Sequence, residues 1–387
     1  MAGGTSLAYG NPAVGTVDRA PQTGQPGASN APFVRKSRFA TSLQFDLTGQ
    51  GFGATITPQM KAVGGYIRNY LLEIIGTAGS GTSVTGAADA PYNYISLMTL
   101  RDASGAPIIN LDGYGLYLVN LFGNQFASGG MQDPAKFDPF SAIASGTGNF
   151  TAVEAIPFEL DTAGYCALPS LSSAALPQLQ IITSALATVY STTPGTTSPS
   201  IELRAFANFW GAPVDDPALG PPDVGSSAQW NFVQAPTTWA KSSNTRIPLP
   251  VQLTYIHTLI LALRDTGASN ARVDQYPTTD LTFWVDQVPV HFESLNVAKI
   301  RMNRAFAVNA TLNTGRPTGV VAYTWRDSAD GTADAADTHD YYLYTTPATL
   351  IEIGGTSGSG GTGPFAVFAY AGRLHPKGGI PYTHLSA

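Results

Sequence analysis

Apolar residues in this chain recur mainly with the two-residue period of extended strands. Phe39, Leu43, Phe45 and Leu47 fall on one face of the first such stretch. Further on, Ile201, Leu203, Ala205, Ala207 and Phe209 share a face opposite Glu202, Arg204, Phe206 and Asn208, the alternation of a half-buried strand. Between them lie YIRNYLLEII at 66–75 and a run from Tyr94 to Gly123. That run reads as two strands around a turn at 102–106, continued in strand-like fashion through Tyr114 and Tyr117. AVEAIPFEL, LQIITSALATVY and SIELRAFANFW complete the first half, with a long loop and one short helix expected over 124–150. Residues 1–35, rich in Gly, Pro, Asn, Ala and Thr, form an arm that cannot fold alone and is expected to order against a neighbour.

Pro213, Pro217, Pro221 and Pro222 mark an internal break, since a sheet interior excludes prolines at this density. The break predicts a connector over 213–244, pinned by Trp230 and Trp239. Beyond it the chain repeats itself in outline. YIHTLILALR at 255–264 answers YIRNYLLEII. Pro289 answers Pro107, each in a segment ending at an Asn, Asn303 or Asn120. The strand, Gly-rich loop and strand of TLIEIGGTSGSGGTGPFAVFAYAG answer LATVYSTTPGTTSPSIELRAFANF. Three correspondences in one order predict a duplicated all-β domain: two tandem eight-stranded jelly-roll β-sandwiches behind an extended N-terminal arm. The expected division is arm 1–35, first jelly roll 36–212, connector 213–244 and second jelly roll 245–387.

Composition agrees with this reading. The 387 residues include 41 Gly and 28 Pro, 43% are hydrophobic and only 12% charged, roughly half the usual charged share. So little charge disfavours a free monomer and favours a surface covered by other copies. The net charge of −6, with no basic cluster, argues against a specific nucleic-acid partner. The start of the chain lacks the basic flank and apolar core of a signal peptide, and no apolar run approaches the ~18 residues of a membrane span. Synthesis in a host cytoplasm is the expectation.

No catalytic, cofactor or metal residue is expected, and the chain reads as a non-enzyme. The lone Cys166 sits in an apolar setting that predicts a buried thiol. His257, His291, His339, His375 and His384 form no HxH or HxxxH pair, and structural roles are expected for His257 and His291. The Gly-rich loop at 354–363 lacks the Lys and following helix of a phosphate cradle. Asp327, Asp330, Asp334, Asp337 and Asp340 depart from the spacing of an EF-hand and read as a solvated loop. Glu154 and Glu159, an odd number of residues apart, cannot converge on one substrate and read as guards of a strand edge. Phe283, Phe292 and Trp325 are expected in the core, while Tyr92, Tyr94, Tyr341 and Tyr342 flank loops as candidate subunit contacts.

Asp102, Gly105, Pro107 and Ile108, continued by Gly113, Tyr114, Tyr117 and Asn120, carry a turn-and-strand pattern. It resembles the first jelly roll of the major capsid proteins of tectivirus-like, membrane-containing tailless icosahedral phages. That resemblance implies a double jelly roll, homotrimers shaped as pseudo-hexagonal blocks, and a virion shell over an internal membrane. It further implies vertex (penton) and minor capsid proteins as partners. Loops 124–150 and 326–340 would project outward, and the arm would reach beneath the shell. The arm shows no amphipathic or basic helix, unlike that of some members of the group. The alternative functional reading is a phage receptor-binding protein or a secreted β-sandwich that binds carbohydrate.

Overall fold

The computed structural model describes residues 33–123 (except 82), 143–160 (except 145), 164–221 (except 196, 217 and 218), 226–306 (except 236, 252–254 and 269), 317–325 and 342–375. Most of the arm, loop 124–142, the aspartates between Asp327 and Asp340, His339 and His384 lie outside the described residues.

The first half contributes β1 (Phe39–Gln50), β2 (Thr55–Ile56), β3 (Gly65–Thr77), β4 (Ile95–Arg101), β5 (Pro107–Leu111), β6 (Phe150–Pro157), β7 (Gln178–Thr183) and β8 (Ser200–Gly211). The second contributes β9 (Ser227–Gln234), β10 (Asn244–Pro248), β11 (Tyr255–Asp265), β12 (Leu281–Val285), β13 (Val288–Glu293), β14 (Val320–Thr324), β15 (Ile351–Thr356) and β16 (Phe365–His375). These principal strands form two antiparallel sheets per half, ordered β1-β8-β3-β6 and β2-β7-β4-β5, then β9-β16-β11-β14 and β10-β15-β12-β13. Adding eight to each label of the first pair of sheets yields the second. The duplication is therefore one of topology as well as of sequence pattern.

It reaches single residues. In β3 the register against β8 skips Arg68, and in β11 the register against β16 skips His257. Both are the third residue of YIR or YIH, and both are bulges that leave a carbonyl free of the ladder. The Arg68 carbonyl accepts from Phe158 N at 2.9 Å, and the His257 carbonyl accepts from Trp325 N at 2.9 Å. Each acceptor thus holds the residue just past its neighbouring strand, β6 or β14.

Four expectations need correction. The stretch 213–244 is not all connector, because β9 occupies Ser227–Gln234 and pairs with β16 along its whole length. Its apolar residues Ala228 and Trp230 are buried at alternate positions, a period that the prolines upstream obscure. The strand-like continuation through Tyr114 and Tyr117 is a helix, α1 (Gly113–Leu118), extended by a π-helical turn at Val119–Gly123. Asp112 caps it, accepting from Gly115 N at 2.7 Å. The matching segment before Asn303 is also helical, α2 (Leu295–Phe306), with Leu295, Ala298 and Met302 buried on one stripe. Finally, LATVY is not the first-half counterpart of β15. That counterpart is β7, and Leu186–Val189 is one helical turn followed by a short strand, Tyr190–Thr192.

A single apolar cluster runs through both halves, from Tyr70 and Leu72 to Leu259 and Phe283. The two middle strands differ instructively. Outward-facing Leu71, Glu73 and Ile75 of β3 are part-exposed, whereas Ile260, Ala262 and Arg264 of β11 are buried. The outer face of β11 is covered by the first half of the same chain.

Candidate functional site

The histidines, the cysteine and the glycine-rich loop have structural surroundings. Among the described residues, no group of three or more His, Cys, Asp or Glu is placed to hold a metal ion. Cys166 is buried. His257 is buried, its Nδ1 3.1 Å from Thr258 Oγ1 and its ring edge-on to Trp230 at 5.2 Å. His291 stacks on Tyr323 at 5.5 Å, and burial followed by the nearby Arg301 charge lowers its pKa to about 4. The glycine-rich loop is tied down as an inter-strand connection: Asp265 accepts from Thr362 N at 2.6 Å and Gly363 N at 2.9 Å, and Gln275 accepts from Gly360 N at 2.8 Å.

Glu154 and Glu159 are buried and do not guard an edge, which corrects the expectation. Asn120 donates to Glu154 at 2.8 Å while exchanging hydrogen bonds with the backbone of Ala155. Glu159 pairs with Arg68 and accepts from Trp210 Nε1 at 3.1 Å. Tyr92, Tyr94 and Tyr342 are likewise buried and unavailable as subunit contacts, and Tyr341 lies outside the described residues. Phe283 is in the core as expected, but Phe292 is 72% exposed.

The site that organises the molecule is the junction between its halves. There β5 and β9 run parallel, Ile109 opposite Trp230 and Asn110 opposite Asn231, so the sheets β2-β7-β4-β5 and β9-β16-β11-β14 become one. Helix α1 packs on the outer face of β16. A Cβ added to Gly115 would lie 2.2 Å from the Tyr370 ring, so glycine is required for that approach. Asp89 of the first half bridges two arginines of the second, at 2.6 Å to Arg264 and 2.5 Å to Arg272. Both guanidinium groups lie over the Tyr114 ring, at 5.1 and 4.9 Å. Burial opposes the charge on Arg264, yet Asp89 leaves its pKa above the ordinary value. Asp112 has its pKa raised to about 6 by burial, against the stabilising pull of Gly115 N and Arg264. Beside these groups opens a cleft of about 730 Å³ lined by residues of both halves, including Asp89, Asn93, Ser184, Arg264 and Phe368.

Two further faces are open. On the second half, among the described residues, no strand covers the outer edge of β13, whose Val288, Val290 and Phe292 are exposed. The adjoining α2 turns Val297 and Ile300 outward, 51% and 56% exposed. On the first half, β1 edges its sheet with Phe39 and Leu43 exposed. Sequence pattern did not reveal these faces, because an apolar strand residue reads as core until the layer above it is known to be missing.

No protein-family model matches the chain, and no curated protein matches it in sequence. Its fold, however, is that of solved viral structures. The STIV (Sulfolobus turreted icosahedral virus) MCP is similar with a TM-score of 0.61 and 14% identity, over 90% of this chain and 99% of that one. PBCV-1 VP54, fitted into a reconstruction of the virophage Sputnik, gives 0.57 and 12%, over 87% and 94%. The Faustovirus major capsid protein gives 0.50 and 8%, over 94% of each chain. The chain has the double jelly-roll fold, shared along nearly its whole length with proteins of virus shells.

Proposed function

We propose that this protein is the major capsid protein of an icosahedral virus, a non-enzymatic shell subunit located in the virion. The observation that carries the reading is the junction: two sandwiches of one topology are fused by a continuous sheet into a single block. Likeness to viral capsid proteins over nine-tenths of the chain supports it. On this reading three copies form a pseudo-hexagonal homotrimer, trimers tile the shell, and vertex and minor capsid proteins complete it. The first jelly roll spans 36–212, and the second begins with β9 at Ser227, so the connector shortens to about 213–226. The sequence resemblance to tectivirus-like coat proteins adds an internal membrane beneath the shell. Light scattering on purified protein tests the core of the reading: we expect about three times the 40.5 kDa chain mass, with six-lobed blocks by negative stain. A stable single-chain species would count against it.

A further inference from the structure

We propose that the cleft between the two sandwiches is a binding site for a neutral, hydroxyl-rich ligand, a short oligosaccharide. The inference goes beyond the shell-subunit reading and does not depend on it.

Connections held by a rigid frame build the cleft, the usual place for binding residues in such folds. The first sandwich supplies the β3–β4 connection, with Ala88, Asp89 and Asn93, and the β7–β8 connection, with Ala187 and Thr188. The second supplies the turn after β11, with Ala268 and Asn270. Asn93 ties the first two together, donating from Nδ2 to the carbonyls of Ala88 at 3.2 Å and Thr188 at 2.7 Å. An alanine on each of the three walls keeps the space between them open, and its volume of about 730 Å³ is that of a small-molecule site.

The polar groups select the class of ligand. The Tyr114 side chain is 3% exposed, yet its hydroxyl has no hydrogen-bond partner among the described residues, and neither has Asn93 Oδ1. Folded proteins pair nearly all such atoms, so two orphans in one wall point to a partner from outside the chain. Asn93 Oδ1 can only accept, whereas a phenol donates or accepts. A ligand that serves both carries donors and acceptors side by side, as neighbouring hydroxyls do. Charge is disfavoured by the balance of the site, since Asp89 and Asp112 offset Arg264 and Arg272. An anion would meet two carboxylates and a cation two guanidinium groups, while a purely apolar ligand would leave the orphans unpaired. Thr188 and Asn270 are exposed and add further donors and acceptors. Ile95 and Phe368 line the cleft as apolar surface for the C–H bonds of a sugar ring. A peptide also mixes donors and acceptors, but it binds by extending a free strand edge. Here the flanking backbone is engaged, Ala87 N with the Val189 carbonyl and Ala90 N with that of Ala87.

Calorimetric titration of the purified chain with neutral trisaccharides of glucose, mannose, galactose and N-acetylglucosamine tests the site. We expect saturable binding by at least one of them. Ala187→Trp, at an exposed position, fills the cleft and should abolish that binding without changing the melt. Tyr114→Phe removes a hydroxyl that the ligand-free fold leaves unpaired, so its melt should be equal or higher while sugar affinity falls roughly 2- to 10-fold. Failure of every sugar to bind would overturn the inference, as would binding that survives Ala187→Trp or is untouched by Tyr114→Phe. Tighter binding of a neutral Gly-Ser peptide would overturn it too. Light scattering on the same sample separates the two readings. A monomer that binds sugar would refute only the shell subunit, and a trimer that binds none would refute only the sugar site.

Discussion

Asp112 caps α1, faces Tyr370 across the junction and lies half-buried and largely desolvated in the wall of the cleft, and these demands conflict. Its ordinary pKa of 3.8 rises to about 6, chiefly through desolvation. A carboxyl raised in the folded state contributes stability that is complete below its unfolded pKa and is lost as pH rises through the folded one. The window here is about pH 4 to 6, and a shift of this size corresponds to an energy on the order of 3 kcal/mol. Asp112→Asn keeps an oxygen to accept from Gly115 N but has no charge to desolvate. We expect it to match the wild type at pH 4 and to be more stable at pH 8 by about 2–3 kcal/mol, read from denaturant midpoints at both pH values. Equal stability at pH 8 would show that Asp112 is not under strain. Such a group is invisible in sequence. Asp112 stands among glycines and tyrosines, and its neighbour Arg264 arrives from 152 positions away.

Elements with a clean period were legible, and those without one were not. Strand β8 alternates faithfully and is buried on the predicted side, from Ile201 to Ala207. The run YGLYLVNLF is apolar almost throughout, so periodicity could not tell helix from strand. The readable signals there were a capping Asp and two glycines. In α2 the spacing of Leu295, Ala298 and Met302 after Ser294 was a helical signature overshadowed by the strands before it. Gly115 is where the first of these helices meets β16. We expect Gly115→Val to destabilise the fold by at least about 3 kcal/mol, because the new side chain overlaps the Tyr370 ring and α1 must move away. Thermal melting and the accessibility of Tyr370 to solvent quenchers would report that separation, and an unchanged melt would refute the packing.

At the scale of the molecule, duplication was legible because its two copies kept the same punctuation: an aromatic opening at Tyr66 and Tyr255, and a proline at Pro107 and Pro289. What stayed hidden was the second sandwich's first strand, masked by the proline-rich stretch upstream, and the ion pairs that only the folded junction assembles. The arm belongs to this scale too. On the shell-subunit reading, deleting residues 1–32, which spares the buried Phe33, is expected to leave trimers with an unchanged melt but to lower the yield of closed particles in electron micrographs; full yield would deny the arm a role in joining trimers. The parallel β5–β9 pairing has a mechanical consequence. Backbone hydrogen bonds running from one sandwich into the next oppose hinging between the two sandwiches, so a single chain behaves as a stiff plank. If the chain is the shell subunit proposed above, any bending that lets flat facets meet at the edges of a polyhedron must be absorbed where separate polypeptides abut.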